Sequence, residues 1–200
     1  ILAAVPSYVA ASQVGRQPEE GGGVMLDKYL PVLRAIVRAR AADPVVHENG
    51  FIQLPIIGPA RLHVWPDVPV ARQRTRHPVH DHRFDFTSYV LRGAIGNTLW
   101  DLNPGGSFHV HQVDGVGVVP LVGTGAHVAA SPRSPEIHLV GDTYRLQALL
   151  FHESTWDELS ATLLVKTAEY YVLPRVLVPV GVDPDNEFDR VTANPPEALW

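Results

Sequence analysis

Apolar positions fall at helical spacing near the start of the chain and at strand spacing through most of the remainder. Over residues 24–43, Leu26, Leu30, Leu33, Ile36 and Val37 recur every three or four positions with Arg34, Arg38 and Arg40 between them, which predicts one amphipathic helix. Pro31 marks its first turn. After Asp43 and Pro44 the period changes. Short runs such as FIQLPII and RLHVW, then YVLRGAIGNTLWDL, SFHVHQVDGVGVVPLV and SPEIHLV, are separated by Asn-Pro-Gly-Gly, Gly-Thr-Gly and Ser-Pro-Arg-Ser-Pro. Evenly spaced short strands with strong turn signals predict an antiparallel barrel or sandwich, not a parallel sheet with crossover helices. The stretch after His152, ESTWDELSATLLVK, reads as a loop leading into a strand.

These breaks divide the chain into four parts. Residues 1–23 are an apolar arm ending in a Gly-rich linker, 24–43 the helix, 44–182 a β domain, and 183–200 a proline-rich acidic tail. Asp183, Asp185 and Glu187 have the spacing of calcium ligands but lack the glycine and distal glutamate of a calcium loop, so they read as a solvated turn.

Composition narrows the function classes. Two hundred residues at 46% hydrophobic content suffice for one domain with a substantial core. A net charge of -5 with no long basic run speaks against a nucleic-acid partner. Cysteine is absent, which excludes thiol nucleophiles, disulfides and Cys-type zinc sites. The opening ILAAVPSYVAA is too short to span a bilayer and lacks a basic start, so the expectation is no membrane partner and a cytoplasmic location. Lys28 and Lys166 are the two lysines; the other cations are arginines, whose planar forks suit carboxylates and phosphates.

The chemistry concentrates between His77 and Gly93. His80 and His82 lie two apart, so on a strand both imidazoles point the same way and can grip one metal. Neutral imidazole suits iron, nickel, copper or zinc better than magnesium or calcium. The same parity puts Phe84, Phe86 and Ser88 on the ligand face as a partly aromatic cavity wall, with Arg72, Arg74 and Arg76 in register before Pro78. His109 and His111 form a second His-x-His that could line the same cavity. His63 alternates with Leu62 and Val64 and reads as a solvated or structural position, with a cavity wall as the other reading. Arg61, Tyr144 and Arg145 are candidate substrate anchors, each with a surface role as the commoner explanation.

Two segments together resemble the cupin superfamily of small metal-binding β-barrels. His80, His82 and Gly93 fit the first family motif, His-x-His followed by a glutamate and a closing glycine; Gly141, Asp142 and His152 fit the second. The opening glycine of the first motif is missing. Gln147, Leu149 and Trp156 stand where the second motif has proline, glycine and asparagine, and Phe86 stands where the first has its glutamate ligand.

The resemblance implies a jelly-roll β-barrel and a three-histidine site of His80, His82 and His152. Asp85, off the ligand face, becomes a supporting hydrogen-bond partner or pairs with Arg83 or Arg92. Three neutral ligands with open positions favour Fe(II), with Zn, Ni or Mn as other occupants. Val79 to His82 is similar to a run in the thiol dioxygenases, which implies an oxygenase acting on a small polar or anionic molecule. The alternatives are a non-oxidative cupin, with Tyr144 or another histidine as acid or base and Arg145 beside it, and a metal-free small-molecule-binding barrel. Cupins commonly pair through edge strands or swapped arms, which implies a homodimer here. Light scattering at micromolar concentration is expected to give about twice the 21.9 kDa chain mass, and a mass near 21.9 kDa would exclude the dimer.

Overall fold

The computed structural model describes residues 44–47, 49–56, 58–65, 77–113, 121–157 and 159–184. The arm, the helix over 24–43, Arg72, Arg74 and Arg76, and the tail beyond 184 lie outside the described residues. The described residues are mainly β: eleven strands and no helix. These are β1 (Val45–Val46), β2 (Ile52–Pro55), β3 (Ala60–Val64), β4 (Phe84–Arg92), β5 (Ala94–Val113), β6 (Leu121–Pro132), β7 (Glu136–Leu139), β8 (Thr143–Leu146), β9 (His152–Trp156), β10 (Ala161–Glu169) and β11 (Arg175–Pro179).

Every pairing is antiparallel. One sheet has the order β1-β2-β3-β10-β4-β8; the other is built on β5, flanked by β11 and β6 along its second half and by β7 and β9 along its first. Among the described residues the sheets do not close into a barrel. Closure would need β1 or β8 to pair onward, and they are two and four residues long. Phe86, Leu146 and Leu164 from the first sheet pack with Leu99 of the second. Phe51, Trp65, Val90 and Ile95 continue that contact, with Trp156 and Tyr144 against them.

Three local expectations change. Asn-Pro-Gly-Gly does not end a strand: Pro104 and Phe108 both face Val128, so residues 105–107 are absorbed as an irregularity inside β5. Gly106, at φ +136°, makes this possible, because a Cβ there would meet the Ala129 backbone at 2.6 Å. Gly-Thr-Gly likewise runs inside β6, where Thr124 Oγ1 donates to the Val110 carbonyl at 2.8 Å beside a register shift. The residues after His152 form β9, paired with β5, and not a loop. Gly93 does act as a break, at φ +68° between β4 and β5, and a side chain there would collide with buried Ser160.

The segment that carries the histidine pair is not itself part of a long strand. Val79 to His82 is extended and lies between β9 and β11: His80 bridges both His152 and Val176. Asp81 N–H donates to Arg175 O, and Leu177 N–H donates to Val79 O, each at 2.9 Å. The chain bends at Arg83 and enters β4 in the other sheet, so His80 and His82 sit where it changes layers.

Asp81 locks this crossing. It is 1% exposed and accepts from Arg175 Nε at 2.7 Å and backbone N–H at 2.5 Å, while the Arg175 guanidinium lies 5.0 Å from the Phe151 ring centre. Burial pushes the Asp81 carboxyl up from its ordinary value, and Arg175 opposes the rise. Removing the carboxylate strands Arg175 and an N–H, so Asp81→Ala is expected to cost about 2–3 kcal/mol, below the fully buried case because Arg175 is a third exposed. The exposed Arg133–Asp101 pair should be nearly silent. Chemical denaturation of Asp81→Ala and Asp101→Asn checks the contrast; equal midpoints would refute it.

Candidate metal centre

Two backbone hydrogen bonds bring the histidines together: His80 N–H to His152 O at 2.9 Å and His152 N–H to His80 O at 2.8 Å. Directly paired residues share a sheet face, so both rings project to the same side. His82, two residues on, follows them. One ligand nitrogen from each of His80, His82 and His152 lies within 4.8 Å of the others. His82 Nε2 and His152 Nε2 are 3.0 Å apart. Two imidazoles bound to one ion at metal–nitrogen distances of about 2.05 Å stand about 2.9 Å apart at a right angle and about 3.3 Å apart in a tetrahedron. The pair already has a coordinating separation.

The tautomer of His80 follows from its neighbours. Its Nδ1 lies 2.8 Å from the Pro78 carbonyl, which can only accept, so the proton is on Nδ1 and Nε2 carries the lone pair. Asn49 Nδ2 donates to that Nε2 at 3.2 Å. Asn49 comes from the turn at residues 47–51, where His47 N–H donates to Phe51 O and Gly50 N–H to His47 O. His47 stacks on Phe51, and Phe51 on His63, each with centroids 4.3 Å apart.

Burial decides the charge of these rings. Desolvation holds His152 well below the usual imidazole value, and the neighbouring His80 adds to the effect. His82 is held down in the same way, first by burial and then by His80, His152, His47 and His63. His63 is depressed by burial, by His47 and by Arg61. His152 Nδ1 and His63 Nε2 are buried without a hydrogen-bond partner. Neutral imidazoles with converging nitrogens are what a divalent cation requires, and the three-histidine group fits one.

Two aromatic rings adjoin His82. Phe84 stacks on His82 at 5.0 Å and Phe86 meets it edge-on at 5.5 Å. Phe86 is itself buried. Leu149, where the family motif has glycine, has φ +66°, the left-handed backbone that glycine favours, and its N–H donates to His82 O at 2.9 Å.

Other candidates fall elsewhere. Ser88 is fully buried opposite Tyr144 in the β4–β8 pairing. Burial raises the Tyr144 hydroxyl, opposed by the polar side chains of Ser88 and Asn97 near it, and Phe86 lies between it and His82. Arg145 is exposed, because alternation along β8 turns it to the face opposite Tyr144. Tyr144 and Arg145 therefore do not adjoin the three histidines. Asp85 accepts from Ala148 N–H at 2.6 Å and from the Tyr170 hydroxyl at 3.2 Å, while Arg83 pairs with Glu169 at 3.0 Å; Asp85 secures the loop before His152 and not a ligand ring. His63 is buried, not solvated. His111 pairs with Val176, which pairs with His80, so Val176 stands between the two histidines. His109 meets the His127 ring with centroids 4.1 Å apart and the planes tilted by 59°. Asn49, Asp81 and Arg175 carried no sequence signal beyond a turn and a charge, because their partners are 31 and 94 residues away.

No protein-family model matches the chain, and no curated protein matches it. Among solved structures, the hydroxypropylphosphonic acid epoxidase from S. wedmorenis is similar at a TM-score of 0.34 and 13% identity, over 62% of this chain. The chain spans about half of the epoxidase, 55% of its length.

The depressed imidazoles set a pH dependence for the metal-free protein. Between the unfolded value of about 6.5 and the lower folded values, the unfolded chain holds more protons, so stability is full above about pH 7 and falls toward pH 5. The raised carboxyls of Asp81 and Glu153 act with the opposite sign nearer their own range, so melts are best kept above pH 5. Tm of the chelated protein should drop over this interval, with a shallower drop in His63→Phe. A flat Tm would mean that these rings are solvated.

Proposed function

We propose that the chain is a mononuclear non-haem metal enzyme, an iron(II)-dependent oxygenase acting on a small polar or anionic substrate at His80, His82 and His152. One observation carries this reading: the His82 and His152 imidazoles, both kept neutral by desolvation, meet Nε2 to Nε2 at 3.0 Å, and one nitrogen from each of the three rings lies within 4.8 Å of the others. Without a cation, the meeting leaves one lone pair facing another or makes one ring a donor; a cation lets both rings direct their lone pairs at it.

The residues around the cluster have definable tasks. Pro78 O fixes the His80 ring and raises its basicity as a ligand. Phe84 and Phe86 keep water from the His82 side. Asn49 occupies the His80 nitrogen and would yield it or turn its amide when an ion enters. Iron(II), when bound, would supply open coordination positions and redox capacity. Three neutral ligands leave its charge uncompensated, which favours an anionic substrate group as the next partner.

Metal content of protein purified without added metal or chelator tests the reading. About one iron per chain is expected, lost in His152→Ala, with oxygen uptake on a suitable substrate. Zinc or nickel at that stoichiometry would overturn the oxygenase and leave Lewis-acid chemistry; no metal, even after reconstitution, would overturn the enzyme.

A further inference from the structure

His109 and His127 meet on the ribbon formed by β5 and β6, outside the three-histidine group. They stand directly opposite each other in the antiparallel pairing, so their side chains leave the same face with β-carbons about 5 Å apart. Two irregularities flank this pair. On β5, residues 105–107 are inserted ahead of it, because Pro104 and Phe108 both face Val128. On β6, residues 124–126 occupy the span that Val110 alone occupies on β5, because the next pair is His111 with Gly123. A regular ladder continued from that pair would put Gly125 opposite His109; the bulge brings His127 there instead. Thr124 Oγ1 holds the bulge, donating to Val110 O at 2.8 Å and accepting from Ala126 N–H at 3.2 Å.

The ring centres of the pair are 4.1 Å apart and the planes are tilted by 59°. Two imidazoles bound to one ion at metal–nitrogen distances of about 2.05 Å have centres about 4.5 Å apart at a right angle and about 5.2 Å apart in a tetrahedron. Within the three-histidine group the corresponding separations are 4.6, 4.8 and 5.1 Å. The pair therefore needs to open by only about 0.4 Å to chelate at a right angle, which rotation of the exposed His127 side chain supplies. Among the described residues neither ring is engaged in a hydrogen bond or an ion pair, so nothing there competes for their nitrogens. On its other side His109 pairs with buried Val178, which leaves the His127 side as the approach from solvent. His111 shares this face, with its ring centre 6.1 Å from that of His109 and a buried Nδ1 without a hydrogen-bond partner. It stands too far off to be a third ligand in this arrangement, since the described three-residue group with converging nitrogens is His80, His82 and His152.

We propose that His109 and His127 form a second metal site, a two-histidine chelate for copper(II) and, more weakly, for nickel(II) or zinc. Two imidazole nitrogens select late transition ions over magnesium and calcium, and copper(II) binds such donors tightest. The exposed side leaves the remaining coordination positions open to water or to a small donor molecule. Val176 of β11 lies between this face and His80, which keeps the ion apart from the three-histidine group. The site uses no residue of that group, so it does not rest on the metal-enzyme reading.

Copper(II) titrated into the full chain carrying His152→Ala, followed by calorimetry and electron paramagnetic resonance, tests this. A saturable site with two nitrogen ligands is expected. Its affinity should fall at least tenfold when His109→Gln or His127→Gln is added and stay unchanged with His138→Gln, whose ring lies against Tyr144. A second measurement needs no variant: in the wild-type chain, zinc should slow diethyl pyrocarbonate modification of His109 and His127 severalfold, read by mass spectrometry. Equal affinity in every variant, a loss through only one member of the pair, or no protection of either ring would overturn the site. Metal in the wild-type chain that is lost in His152→Ala, with His109 and His127 unprotected, would sink this site and leave the three-histidine centre. Copper(II) binding that depends on His109 and His127 in a chain whose metal content does not respond to His152→Ala would do the reverse.

Discussion

The hydrogen-bonded pair His80 and His152 is the constraint on which the rest depends. Two backbone bonds join a short extended segment to the first residue of β9, and that pairing fixes which way two imidazoles point. On the other side of the segment, Val176 and the Asp81–Arg175 contact hold it against β11. The segment thus acts as an inserted strand three residues wide at its contacts, and the chain can leave for the other sheet immediately afterwards. His82 owes its position over Phe84 and Phe86 to that departure.

Packing several imidazoles into one interior has an electrostatic consequence. Desolvation is the largest influence on His63, His82 and His152, and mutual repulsion among the rings adds to it. Rings kept neutral retain lone pairs. The interior therefore discourages protons and keeps the imidazole lone pairs available.

Leu149 and Phe86 shape the surroundings of His82. The backbone at Leu149 takes the left-handed form although glycine is absent, which carries a steric cost of about 1–2 kcal/mol for an L-residue. Its N–H on His82 O and the Asp85 carboxylate on Ala148 N–H hold the turn there. Phe86 sets an apolar ring edge-on against His82.

The sequence by itself determined the mainly β character, through strand-period patterning, and the three histidines, through spacing and motif resemblance. Phe84 and Phe86 were legible because alternation is local and survives the bend at Arg83. The placement of Tyr144 and Arg145 was not legible, because neither spacing nor residue type says what lies between a side chain and the histidines; Phe86 does in one case and a sheet face in the other. Only the tertiary structure decided that the sheets stay open among the described residues, that β5 runs through Pro104 and two glycines, and that Asn49, Asp81 and Arg175 support the centre. Those outcomes depend on contacts between residues far apart in the chain, and the energy of such contacts is not encoded in local period or propensity.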